Sequence, residues 1–299
     1  MNEKGQLWPV MLTPFTKDGE VDYPALERLI DWYEQSGVDG LFADCQSSEI
    51  FFLTLRERTQ LAAFVKSHAH VPVVASGHVS ASFTDQLEEL RAIASAGVDG
   101  LILITNRLVT AGAPYVSILP RVKAIAREIP DIPLGFYECP YPFKRLITLD
   151  ELAACRDMDR FAFMKDTCCD IDTIEKRLSV LSGSPFRLYN ANATTCLASL
   201  RLGAAGFSGV MLNFHPRLYR WLMDHPTDPR ADLVQSFLTQ FSLIERQYYP
   251  VNAKHHLTQK GVLSSPFSRA IPMEGLTPTF QTEISHLDTA ASYLLSQLS

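Results

Sequence analysis

The chain has 299 residues, about 46% of them apolar, and a net charge of −6 from 27 basic and 33 acidic side chains. That is enough apolar material for one large core, and it fits a single α/β barrel with an appendage better than two ordinary domains. The acidic balance, with no Lys/Arg stripe alternating with aromatics, argues against a nucleic-acid partner. No apolar run is long enough to cross a bilayer, and Met1-Asn2-Glu3-Lys4-Gly5 lacks the apolar core of a signal peptide. Cys45, Cys139, Cys155, Cys168, Cys169 and Cys196 show neither CxxC pairing nor zinc spacing. They read as reduced thiols of a cytoplasmic protein. Cys168-Cys169 reads either as a redox pair or, the better reading, as buried small hydrophobes.

In chain order, residues 7–12 read as a first strand ending at Thr13-Pro14-Phe15, followed by turn chemistry at Lys17-Asp18-Gly19-Glu20. Asp22 caps a helix with apolar positions at Leu26, Leu29, Ile30 and Trp32-Tyr33, closing at Ser36-Gly37. A second strand over 38–43 leads into the polar loop Asp44-Cys45-Gln46-Ser47-Ser48-Glu49 and a helix over 55–68. The third unit is a strand over 71–75 with a helix over 84–96, and the fourth a strand over 100–105 with a helix over 115–128. Pro130 and Pro133 bracket a turn. Strands then follow over 134–137, 161–165, 186–190 and 206–210, each with its own helix, the last over 215–223. Gly97-Val98-Asp99-Gly100-Leu101 repeats Gly37-Val38-Asp39-Gly40-Leu41 sixty positions on, and Gly203-Ala204-Ala205-Gly206-Phe207 is a third echo. One βα unit lies between the first two, near the period of about 30 residues that eight units in about 250 require. The predicted fold is therefore α/β, a (β/α)8 TIM barrel over residues 1–226. Three further helices over 231–248, 253–263 and 282–298 form a C-terminal helical segment, 227–299, packed on the outside of the barrel.

The run Phe161-Ala162-Phe163-Met164 ends abruptly in Lys165. A short apolar run suits a strand buried on both faces, and its carboxyl end is where parallel α/β folds do chemistry. An amine held there in a dry pocket loses basicity and can attack a ketone to form a Schiff base; the plainer alternative is a lysine that snorkels into water. The residues expected at the barrel mouth are Thr13, Ser47, Ser48, Glu49, His78, Arg107, Tyr137, Lys165, Asn190 and Ser208. Tyr137 and Lys165 end consecutive strands, which in a parallel sheet lie about 4.8 Å apart. The phenol can then relay protons for the carbinolamine and enamine, or stand as a rim aromatic in water. Ser47-Ser48 offers backbone N–H groups and hydroxyls to a carboxylate, or is an ordinary polar turn. His68 and His70 precede the third strand, at the opposite end, and His255-His256 lie in the appendage. No His/carboxylate cluster falls at the mouth, so no metal is expected.

Together these segments resemble the dihydrodipicolinate synthase/N-acetylneuraminate lyase family over essentially the whole chain. The resemblance rests on Thr13-Pro14-Phe15 with Asp22, on Cys45-Gln46-Ser47-Ser48-Glu49 in place of Gly-Thr-Thr-Gly-Glu, and on Phe136-Tyr137-Glu138-Cys139-Pro140. It extends to Met164-Lys165-Asp166-Thr167 and to residues 206–213. It implies a class I, Schiff-base lyase or aldolase acting on pyruvate or another 2-keto acid, commonly a homo-oligomer (tetramer or dimer), with no metal or organic cofactor. By the same resemblance Lys165 forms the imine, Tyr137 relays protons, Ser47 with neighbouring N–H groups holds the carboxylate, and Ser208 lines the pocket with Gln46 and Ser48.

The departures point away from dihydrodipicolinate synthesis. The family's arginine five residues after the tyrosine is Pro142 here, with Arg145 nearby. Its Pro-Tyr-Tyr after strand four is Asn106-Arg107-Leu108, so the tyrosine contributed across a subunit contact is missing. Its first motif threonine is Gln46. Arg107 or Arg145 is expected to pair with an anionic group of the second substrate. Two other readings stay open: an imine-dependent dehydratase of a hydroxy or keto sugar acid, and a barrel that binds a keto acid without turning it over.

Overall fold

Short apolar strands alternating with amphipathic helices bury best as a parallel sheet sheathed in helices. The computed structural model has that form and describes residues 4–110, 112–113, 115–129 and 131–298; Met1, Asn2, Glu3 and Pro130, read above, lie outside these. Among the described residues the strands are β1 (Gln6–Leu7), β2 (Leu41–Ala43), β3 (Val73–Ala75), β4 (Gly100–Ile104), β5 (Leu134–Tyr137), β6 (Phe161–Asp166), β7 (Arg187–Asn190) and β8 (Gly206–Phe207). They pair in parallel in the order β1-β8-β7-β6-β5-β4-β3-β2. A parallel bridge between Val10 and Phe42 closes the seam, with Phe42 N–H donating to Pro9 O at 3.0 Å. The fold is a (β/α)8 TIM barrel. The first strand is shorter than the expected 7–12 because Pro9 has no N–H to give the ladder; the chain leaves β8 there and meets β2 instead.

The helices follow their caps. Asp22 accepts from Ala25 N–H and opens α1 (Tyr23–Gln35). The reciprocal Thr54/Glu57 and Thr148/Glu151 boxes open α2 (Leu55–His68) and α5 (Leu149–Arg156). Between them lie α3 (Phe83–Ser95) and α4 (Leu119–Glu128), and after them α6 (Ile171–Leu181), α7 (Cys196–Arg201) and α8 (Pro216–Asp224). The fourth helix starts at Leu119 rather than at 115, where Glu151 accepts from Ile118 N–H at 3.0 Å and Pro120 occupies the first turn. The C-terminal segment contains α9 (Ala231–Phe241), a 3-10 turn over Ser242–Arg246, α10 (Val251–Gln259) and α11 (Pro278–Ser296). The expected helix over 231–248 thus ends at Phe241. This segment is not confined to the outside of the barrel: Glu245, Arg246, Tyr249, Pro250, Ala270 and Ile271 line a cavity at the mouth. No described helix is long and apolar enough to cross a membrane.

Register decides which side chains enter the barrel. Phe136 pairs with Met164 and Tyr137 with Lys165, after a bulge between Leu134 and Gly135. Phe136 and Met164 belong to the layer beneath the helices, whereas Phe163 and Tyr137 join Trp8, Phe42 and Tyr189 in the barrel interior. Gly135 permits this approach, since a Cβ there would stand 2.6 Å from Phe163 O.

The two strand ends are then tied from outside. Glu138 follows Tyr137, Asp166 follows Lys165, and Arg177 on α6 reaches both: Nη2 donates to Glu138 Oε1 at 2.7 Å and Nη1 pairs with Asp166 Oδ2. Thr167 adds Oγ1 to Glu138 O at 2.7 Å. All three charged groups are buried. Removing one partner of such a network strands the others without water. Arg177→Met is expected to lose about 3–5 kcal/mol of unfolding free energy in denaturant titrations; an unchanged midpoint would remove the clamp from the account.

Candidate active site

A cavity of about 640 Å³ opens at the carboxyl ends of the strands, and Lys165, Tyr137, Gln46 and Ser47 are in its wall. Lys165 is 4% exposed. Its Nζ lies 4.3 Å from the Tyr137 ring centroid and 5.9 Å from that of Phe42. Among the described residues it has no hydrogen-bond or ion-pair partner. Burial takes its pKa down to about 8, against weaker upward pulls from Cys45, Cys139 and Glu245. At pH 7 roughly one amine in ten is then neutral, against roughly one in three thousand at 10.5. Tyr137 is buried too, and desolvation holds its phenol well above the usual value. It stays a proton donor, its hydroxyl 3.5 Å from Gln46 Oε1. Cys139 Sγ donates to the same oxygen at 3.4 Å.

Ser47 lies in a 3-10 turn, Gln46–Ser48, whose first N–H groups have no acceptor within the turn. Its Oγ accepts from Tyr249 OH at 2.7 Å. Ser48 is spent on the fold: its Oγ donates to Met11 O at 2.7 Å and accepts from Cys45 N–H at 3.1 Å. Glu49 is held by Lys254, by Ser268 Oγ at 2.9 Å and by Arg269 N–H at 2.7 Å, which fastens the loop to the C-terminal segment. Thr13 and Asn190 are likewise buried and bonded internally, and His78 Nε2 accepts from Ile104 N–H at 2.6 Å.

Other expected residues are not brought to the cavity. Arg145 is buried and committed to Glu151 at 2.6 Å and to the Val116 and Leu146 carbonyls, so it offers no cation to a substrate. Arg107 lies 5.0 Å from the centroid of Phe51, and Phe51, not Arg107, is in the wall. Ser208 is fully buried, while Gly209 and Val210 line the cavity in its place. Cys168-Cys169 is not a buried pair: Cys168 is half-buried and Cys169 is exposed in the cavity wall, because both lie in the loop beyond β6.

The C-terminal segment supplies what the strand-end reasoning missed. Glu245, Arg246 and Tyr249 all line the cavity, as does Lys144. Burial raises the Glu245 pKa, opposed by Arg246 and by Lys165. Arg246 has no side-chain partner among the described residues.

The profile of the dihydrodipicolinate synthetase family matches residues 3–290. The chain belongs to that family. Its relatives include the 4-hydroxy-tetrahydrodipicolinate synthase of Shewanella piezotolerans, 24% identical over 282 residues, 90% of this chain and 92% of that one. The dihydrodipicolinate synthase of Bacillus anthracis superposes with a TM-score of 0.84 at 18% identity, covering 97% of this chain and 99% of that one. The chloride-inhibited enzyme of Acinetobacter baumannii, solved with pyruvate, gives 0.83 at 20% identity, covering 97% and 99%. These low identities make the chain a divergent member, and it is an enzyme of this family, whose general chemistry is that of Schiff-base, pyruvate-dependent lyases.

The lysine leaves a thermodynamic mark independent of any substrate. The unfolded chain keeps its Lys165 proton up to about 10.5 while the folded one releases it near 8, so stability rises with pH between those values. Below 8 the folded state carries the whole cost of a buried ammonium. Lys165→Met is therefore expected to unfold with about 3 kcal/mol more free energy than wild type at pH 7, the gap closing toward pH 10.5. Equal differences at both pH values in denaturant titrations would contradict the placement of the charge.

Proposed function

We propose that the protein is a carbon–carbon lyase or aldolase that joins or splits pyruvate, or another 2-keto acid, and an aldehyde or sugar-acid partner through an imine on Lys165. The observation that carries this is the buried amine, without a polar partner among the described residues, 4.3 Å from the Tyr137 ring, inside a cavity large enough for two small substrates. In this reading Lys165 attacks the keto carbon and water leaves the carbinolamine. Tyr137 carries the proton for that step and for enamine formation. Ser47, with the amides of Gln46 and Ser47, takes the keto acid's carboxylate.

The departures support a reaction other than dihydrodipicolinate synthesis. Pro142 replaces the arginine, and Arg107 stands where the family has a tyrosine. Arg246 is the cation offered to an anionic group on the partner, in place of Arg107 and Arg145. A second reading has its own support. Glu245, a carboxyl whose pKa burial raises, shares the cavity with Lys165 and can protonate a departing hydroxyl, as an imine-dependent dehydratase requires. Homo-oligomerisation, as a tetramer or dimer, and a cytoplasmic setting are further proposals, the latter supported by six free thiols.

Incubation with pyruvate and borohydride, followed by peptide mass spectrometry, is expected to place a reduced adduct on Lys165. No adduct with pyruvate or other 2-keto acids would remove the imine. Product analysis then separates the two readings: an aldolase releases pyruvate or a like fragment from its adduct, and a dehydratase does not.

A further inference from the structure

A hydrogen-bond chain runs from the barrel seam to the cavity, and its polarity is fixed at one end. Asn213, in the 3-10 turn Val210–Asn213, presents Nδ2 to Val10 O at 3.1 Å. A carbonyl oxygen can only accept, so the amide must face it with its nitrogen. The second proton of Nδ2 then goes to the Tyr249 phenol oxygen at 3.1 Å. Oδ1, on the other side, accepts from Tyr33 OH on α1. With its oxygen occupied by the Asn213 donor, Tyr249 directs its own proton to Ser47 Oγ at 2.7 Å. Burial keeps both phenols protonated. Ser47 thus receives a proton on its oxygen, and among the described residues its own hydroxyl proton has no acceptor. A hydroxyl that accepts one hydrogen bond donates the next more strongly.

We propose that Tyr249 is a positioning residue that turns the Ser47 hydroxyl into a one-way donor toward the cavity, aimed at the carboxylate of the keto acid. This rests on the imine reading and deepens it: the C-terminal segment, through one phenol, sets the preference for keto acids over simple ketones. Tyr249 reaches Ser47 across 202 residues of sequence; Asn213 donates to its oxygen, and Tyr33 on α1 fixes Asn213 in turn.

The test compares two carbonyl compounds on the full chain, pyruvate and acetone, which share a methyl ketone and differ in the carboxylate. For each, the half-saturating concentration for the borohydride-trapped Lys165 adduct is read by mass. Wild type is expected to prefer pyruvate strongly. Tyr249→Phe should raise the pyruvate value about tenfold or more, because the Ser47 hydroxyl is no longer held toward the charged carboxylate and that hydrogen bond is lost, and leave the acetone value unchanged. Ser47→Ala should do the same, and the double variant should add little to either. A merely structural role for Tyr249 would shift both compounds alike, and that result, or no shift for either, overturns the proposal. Wild type trapping both compounds equally well would also overturn it while leaving the imine intact. Wild type trapping neither would overturn the imine reading and the proposal together.

Discussion

An amine buried with no ion-pair partner among the described residues is the constraint on which the rest of this structure depends. Two lysines here are almost wholly enclosed, and burial lowers the pKa of each to about 8, but their surroundings differ. Lys254 touches the Glu49 carboxylate and donates to Phe267 O at 2.8 Å. Lys165 faces aromatic rings and a cavity. The first arrangement satisfies a charge and fastens a loop. The second leaves the ammonium without solvation, which favours the neutral, nucleophilic form. A stable fold has no need of such a residue, and strongly perturbed groups in clefts mark functional sites.

The remaining architecture serves that placement. The register of β5 on β6 sets Tyr137 beside Lys165, and Arg177 ties the residues that follow each of them. The cost of burying three charged groups is met by their mutual contacts and by bonds to Ile147 O and Thr167 N–H. On the opposite side the C-terminal segment folds over the mouth and contributes Glu245, Arg246 and Tyr249 to the wall. The barrel supplies the nucleophile and most of the polar lining, and the appendage adds an acid, a cation and a phenol.

The barrel was legible because its signals are local. Apolar runs of strand length, the Asp22 cap and the repeated Gly-Val-Asp-Gly-Leu each act within a few residues, and α1 and α2 fall where the sequence placed them. Lys165 and Tyr137 were legible for the same reason, as polar residues ending apolar strands. Arg145 was misplaced because nothing local shows that its guanidinium pairs with Glu151. Likewise, Arg107 was read by its distance from a strand end, but Phe51 takes the wall position. Tyr249 was passed over because its contact with Ser47 bridges the two ends of the chain. Strand-end reasoning finds what the barrel contributes; it is blind to a later segment returning over the mouth.

The central claim is that Lys165 is uncharged often enough to act as a nucleophile. The most direct measurement is an NMR titration of chain labelled with 13C at the lysine ε carbon, the Lys165 resonance being identified as the one missing from the Lys165→Met spectrum. The account predicts a midpoint near pH 8. A midpoint at the ordinary lysine value of 10.5 would show an amine open to water, and the account would fail.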